Sequence, residues 1–301
     1  MFLKSFKETM KKNKTPRISP QERLNLLKQA EKIVPFAQNA AAAPNAAPPP
    51  GWKVLASADP KAGNNNGLFA KIYERIAPPP PGEPKYIVAF RGTKLNDRED
   101  ISADLDIMFL KIPRQYQQGL NFVQDVCAKN GIDPAEMTYT GHSLGGYLAR
   151  TIGTTLGAKH IWTFNAPGPS RKIARRLEEK IPGISQSPGD GLVQIRTAND
   201  IVSVWGYNQG LTISLDMRGR PHSLNNLAAA IRDTVEKKPL KPVALPPKGS
   251  LTAIFDAISG KIARSALAED VIRKIFRNGA SQTQKPPKNF PEKFFDGPRP
   301  E

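Results

Sequence analysis

Residues 137–157, MTYTGHSLGGYLARTIGTTLG, constrain the fold of this chain more than any other stretch. MTYTG (137–141) reads as a strand and GGYLARTIGTTLG (145–157) as a helix, and they meet at Gly141-His142-Ser143-Leu144-Gly145. A strand that turns at once into a helix holds its corner residue, Ser143, in a strained backbone conformation. Side chains at Gly141 and Gly145 would collide with the neighbouring chain, and Gly146 extends the small surface. The hydroxyl of Ser143 is then presented at the carboxyl edge of a sheet. The free amides and positive dipole end of the following helix point to the same place. The pattern G-x-S-x-G recurs in unrelated chains; its position between strand and helix is what makes Ser143 a candidate nucleophile.

The flanking sequence supplies such a sheet. GLFAKIYERI (67–76) and KYIVAF (85–90) read as neighbouring strands turned by Pro78 to Gly82. A helix is expected over 118–129, strands over 160–165 and 193–198, and a basic helix around Arg171 to Lys180. Strands alternating with helices predict an α/β fold, a mostly parallel central sheet covered by helices. A chain of 301 residues with 39% hydrophobic side chains can bury the core this needs. The single cysteine, Cys127, cannot form an intramolecular disulfide, so the fold stands without such cross-links.

The formal charge of +17 is concentrated at the ends. Residues 1–34 carry nine Lys/Arg against three Asp/Glu, and residues 235–301 thirteen against seven, while charges of both signs mix between them. The expected organisation is a basic N-terminal helical segment with an Ala/Pro linker (1–50), a central domain (51–234), and a Pro/Lys linker, amphipathic helical segment and disordered tail (235–301). PQERLNLLKQAEKIV (20–34) reads as a helix burying Leu24, Leu27, Ile33 and Val34, and PFAQNAAAAPNAAPPP (35–50) as linker or surface loop. Over 251–279, Leu251, Ile254, Ile258, Ile262, Ile272, Ile275 and Phe276 follow helical spacing opposite Lys261, Arg264 and Arg273. Such an apolar stripe suits packing on its own domain, and basic ends of this kind also suit a peripheral contact with an anionic membrane surface; a nucleic-acid partner is not expected. The N-terminus reaches Lys4 before any apolar stretch of signal length, and nowhere do eighteen apolar residues run together. Neither a cleavable signal nor a transmembrane helix is therefore expected.

A serine hydroxyl attacks well only when a base takes its proton, and the chain has three histidines. His142 adjoins Ser143 with its side chain pointing away. His160 opens the strand HIWTFN, at the amino edge of a parallel sheet and so opposite the elbow. His222, in PHSL after the last strand region, remains. For the acid, Asp200 in VQIRTANDIVSV lies just past the strand 193–198, at the carboxyl edge. Asp190 precedes that strand on the wrong edge, and Asp216 falls in a hairpin arm beyond it. Three scattered histidines and one cysteine make no metal-ligand cluster, so neither metal nor other cofactor is expected.

With these residues assembled, the chain resembles the class 3 lipase family, the fungal-lipase-like branch of the α/β-hydrolases, nearest in style to bacterial lipases and phospholipases A1. IVAFRGT (87–93), TGHSLGGYLA (140–149), NAPGP (165–169) with TANDIV (197–202), and PHSL (221–224) carry the resemblance, which spans roughly residues 65–225. It implies an α/β-hydrolase fold and a triad of Ser143, Asp200 and His222. It also implies an oxyanion hole from Thr93 and the amide of Leu144, and a brace for the oxyanion loop at Asp104. Residues 95–103, LNDREDISA, occupy the place of the family lid; they are short and acidic, with Ile101 where fungal relatives carry tryptophan. The implied activity is serine-dependent hydrolysis of carboxylic esters of lipids, as a lipase or phospholipase, phospholipase A1 included. The alternatives are an esterase on small soluble esters and an inactive hydrolase-fold binding module recruited by its basic ends. Phe2, Phe6 and Met10 at helical spacing suit an effector exported without a signal peptide, and an intracellular enzyme equally.

Overall fold

The computed structural model describes residues 18–59, 67–92, 114–169, 191–200, 202–204, 210–217 and 219–237, with positions 173 and 206. Among the described residues, seven strands form one sheet whose spatial order is the chain order: β1 (Trp52–Ala58), β2 (Ala70–Arg75), β3 (Tyr86–Phe90), β4 (Thr138–His142), β5 (His160–Phe164), β6 (Gly191–Thr197) and β7 (Leu211–Leu215). The first three pair antiparallel, and β3 to β7 are all parallel. The turn between β2 and β3 uses Gly82 at φ 77°, a left-handed conformation that glycine takes without steric cost.

Helices cover both faces. Because each parallel strand is added on the same side of the last, right-handed crossovers place α2 (Arg114–Asn130) and α3 (Leu144–Thr155) on one face. The other face carries α1 (Pro20–Ala41) and α4 (Leu224–Val235). Strand alternation feeds the two cores: on β3, Ile87 and Ala89 join the α1/α4 core, and Val88 and Phe90 the α2/α3 core. This is the α/β-hydrolase architecture, with every parallel strand aiming its carboxyl end at one edge.

The expected strands and helices of this core appear within a few residues of their expected bounds, with three corrections and one addition. First, residues 35–41 are not linker: α1 runs through Pro35 to Ala41 and buries Phe36, Ala37 and Ala40. A proline inside a helix costs about 3 kcal/mol. That cost is offset by burial of Phe36, whose ring meets Trp52 and Tyr73 edge-on, with centroids 4.8 and 5.1 Å away. The alanines keep the helix slim against the sheet. Its start is fixed by a capping box: Glu22 N–H donates to Ser19 Oγ at 3.2 Å and Ser19 N–H to Glu22 Oε2 at 2.7 Å. Second, WKVLASA forms an edge strand, β1, where the sequence pattern assigns no element; a bulge between Val54 and Ala56 breaks its alternation. Third, residues 211–215 are not a hairpin arm. They run parallel to β6, Val193 opposite Leu211 and Thr197 opposite Leu215, and the intervening stretch is long enough to cross over. The addition is α4, capped by Ser223, whose Oγ accepts from Asn226 N–H.

The expected basic helix over 171–180 is described only at Ile173, which is helical. Thr93, Asp104, the lid stretch 95–103, Asp190, residues 1–17 and the amphipathic segment 251–279 lie outside the described residues. Among the described residues, no helix is long and apolar enough to cross a membrane.

Candidate active site

At the carboxyl end of β4 the chain turns into α3 through a single residue. Ser143 sits at φ 56°, ψ −126°, a conformation that costs a non-glycine residue about 1–3 kcal/mol. It is held there by its own backbone: Ser143 N–H donates to Phe164 O at 3.1 Å, and Tyr147 N–H to Ser143 O at 3.0 Å. The flanking glycines leave room for nothing larger. A Cβ on Gly145 would stand 2.2 Å from Phe90 O, and one on Gly141 2.3 Å from Gly145 O. At Gly92, the exit of β3, a Cβ would stand 2.7 Å from His142 O, so that strand passes directly beside the corner.

Three side chains, from the end of β4, the loop after β6 and the turn before α4, meet at this edge. His222 Nε2 lies 2.9 Å from Ser143 Oγ, and His222 Nδ1 lies 2.9 Å from Asp200 Oδ1. An ionised carboxylate can only accept, so Nδ1–H donates to Asp200 and the bare Nε2 accepts from the serine hydroxyl. Asp200 is 1% exposed, and its two oxygens accept from Val202 N–H and Ser203 N–H, each at 3.2 Å. The carboxylate is thus oriented by its own loop before it meets the histidine. Asp216 is exposed past the end of β7, and His160 stands at the amino end of β5, on the opposite edge.

The loop that carries His222 is pinned by residues to which the sequence alone assigns no role. Asn165, at φ 44° immediately after β5, donates from Nδ2 to Pro221 O at 2.9 Å while its Oδ1 accepts from Thr197 N–H at 2.9 Å. Thr197 Oγ1 donates to the same Pro221 carbonyl at 2.7 Å. An asparagine just after an apolar strand is the sequence signal for such a position, since asparagine tolerates positive φ and carries both a donor and an acceptor. His142, expected to point away from Ser143, does not leave the site: its ring centroid is 4.7 Å from that of His222 and its Nε2 is 2.9 Å from His222 O. A carbonyl only accepts, so His142 Nε2 carries the proton.

Burial, and then the neighbouring His222, push the His142 imidazole down to about 3 from an ordinary 6.5. The unfolded chain therefore binds a proton here between pH 6.5 and 3 that the folded chain refuses. Stability rises with pH across that window, and His142 lowers it by up to about 1.4 kcal/mol per pH unit on acidification. Urea midpoints measured from pH 7 to pH 4 are expected to fall less steeply in His142→Gln than in the wild type; parallel slopes would contradict the neutral His142.

The arrangement can move a proton from a hydroxyl to an imidazole whose charged form a buried carboxylate stabilises. The first amides of α3, Leu144 among them, have no carbonyl within the helix to bond, so they suit an oxygen that gains negative charge. Among the described residues no group of three or more His, Cys, Asp or Glu gathers as a metal site.

A family model described as a Tle-like phospholipase domain matches residues 36–236. Among solved structures, the extracellular lipase LipA from Serratia marcescens is 17% identical over 54% of this chain and 30% of that one, with a TM-score of 0.30. The chain therefore spans less than a third of that lipase. A thermophilic esterase, Est2, from the Planctomycetes species Thermogutta terrifontis is 15% identical over 73% of this chain and 93% of that one, at 0.25. Carboxyl esterase 2 from the mycorrhizal fungus Tuber melanosporum is 12% identical over 82% and 99%, at 0.26. At such scores these are distant likenesses. No curated protein sequence matches.

Proposed function

The chain belongs to the family of Tle-like phospholipase domains, and from that premise we propose that it hydrolyses the carboxylic esters of phospholipids, with Ser143 as nucleophile, His222 as general base and Asp200 as the acid that orients it. The unbroken run of two 2.9 Å contacts from Ser143 Oγ through His222 to the buried Asp200 carries this reading. As Ser143 Oγ attacks the ester carbonyl, His222 Nε2 takes its proton, and Asp200 stabilises the imidazolium that results. The carbonyl oxygen becomes an oxyanion against the Leu144 amide and, by the resemblance to class 3 lipases, Thr93 with Asp104 as its brace. His222 then gives its proton to the leaving alcohol, which departs and leaves an acyl-enzyme. Water, deprotonated by the same nitrogen, releases the fatty acid and restores Ser143.

The finer reading is cleavage at the first acyl position, a phospholipase A1, at an anionic surface to which the basic stretches 1–34 and 235–301 are drawn. Phospholipid vesicles with different acyl chains at the two positions, a triglyceride emulsion and a short soluble ester test it together. The expected result is release of the first-position fatty acid from vesicles, faster than from triglyceride and absent in Ser143→Ala. Turnover of the soluble ester alone would make the protein a small-ester esterase. No turnover of any substrate by the folded protein would leave the binding-module account.

A further inference from the structure

We propose that His142 is a positioning residue for the general base: its Nε2–H, bonded to the main-chain carbonyl of His222 itself, sets that residue's distance from Ser143. The inference rests on the proposed role of His222. The two ring contacts of His222 align the imidazole between Asp200 and Ser143. During turnover the Ser143 contact is broken and remade, so the backbone of residue 222 needs an anchor that does not take part. Two consecutive carbonyls supply anchoring points. Pro221 O is held by Asn165 and Thr197, from the ends of β5 and β6. His222 O is held by His142, from the end of β4.

The β4 anchor differs from the other two because the next residue in the chain is the nucleophile. Asn165 and Thr197 fix the loop relative to the neighbouring strands; His142 fixes residue 222 relative to Ser143 through a single peptide unit, in which Ser143 is itself held by Phe164 O. The His142 ring, tilted 40° to that of His222 at 4.7 Å, also limits how far the base can swing. Burial keeps His142 neutral, so the imidazolium formed on His222 meets no second positive charge from that ring.

Two substitutions separate the tether from the ring. His142→Phe keeps an aromatic ring and removes the donor, whereas His142→Gln removes the ring and places an amide N–H at about the reach of Nε2. The readouts are the rate of Ser143 labelling by a fluorophosphonate probe, kcat and KM on a soluble ester, and the melting temperature of the full chain. For His142→Phe, labelling and kcat are expected to fall about 10- to 100-fold with KM within about threefold of wild type, the size of effect that a base displaced by an ångström or less produces. His142→Gln is expected to restore both to within about threefold. If His142→Phe does not fold, His142→Asn, polar but too short to reach the carbonyl, takes its place with the same expected loss. Wild-type labelling in the folded donor-less variant, or a loss in His142→Gln equal to that in His142→Phe, overturns the tether. A folded wild type that the probe does not label overturns the hydrolase reading and the tether with it, an outcome distinct from either of those.

Discussion

Replacing His222 with alanine is expected to lower kcat/KM for ester hydrolysis by about four orders of magnitude or more, with the fold retained. The size follows from what the imidazole supplies. Without it the Ser143 hydroxyl has no acceptor for its proton, and attack must proceed from the neutral alcohol. The fold is expected to survive because His222 sits in a partly exposed loop and its partners keep other contacts: Asp200 remains bonded to Val202 and Ser203, and the loop remains pinned at Pro221. Asp200→Asn should cost nearly as much, since an amide no longer demands the Nδ1–H tautomer or stabilises the imidazolium. Initial rates on a soluble ester, together with thermal melts, check both. A folded His222→Ala protein that keeps more than about a hundredth of wild-type activity would remove His222 from the role of base.

The largest expected effect on stability comes from the smallest side chain that can be added at the elbow. In Gly145→Ala, the new methyl carbon would lie 2.2 Å from Phe90 O and 2.8 Å from two backbone carbons of Phe90 and Arg91. No rotamer relieves a clash between backbone and Cβ, so α3 must move off β3, opening the core that Phe90, Leu148 and Ile152 fill. A loss of about 3–5 kcal/mol is expected, enough to lower the melting temperature by about 10 °C or to prevent soluble expression. Gly82→Ala is the comparison. Among the described residues nothing stands within 4 Å of its Cβ, and its φ of 77° is the unfavourable feature, which costs about 1 kcal/mol. Equal losses in the two variants would contradict the packing account of the elbow.

Local periodicity and edge logic make part of this molecule legible in its sequence. The elbow, the strands beside it and the helices α2 and α3 each carry their pattern within a dozen residues. The rule that parallel strands share one carboxyl edge selects Asp200 and His222 over Asp190 and His160 as partners for Ser143. The remainder depends on distant contacts. Alanines and a proline over 35–41 have the composition of a linker, and become helix only because Phe36 finds Trp52 and Tyr73 to pack against. Residues 211–215 carry a strand pattern, but nothing local says whether such a strand returns antiparallel or crosses over to run parallel. His142 is visible as a neighbour of Ser143; its bond to His222 spans eighty positions in the chain, and no local pattern encodes it.

Every step of the proposed hydrolysis depends on Ser143 being an activated nucleophile. Treating the 301-residue chain with a fluorophosphonate and mapping the adduct by mass spectrometry tests it whatever ester the protein cleaves. The expected result is a single adduct on the peptide containing Gly141 to Gly145, located on Ser143 and absent from a folded Ser143→Ala protein. A folded wild type that stays unlabelled, or that carries the adduct on another residue, would contradict it.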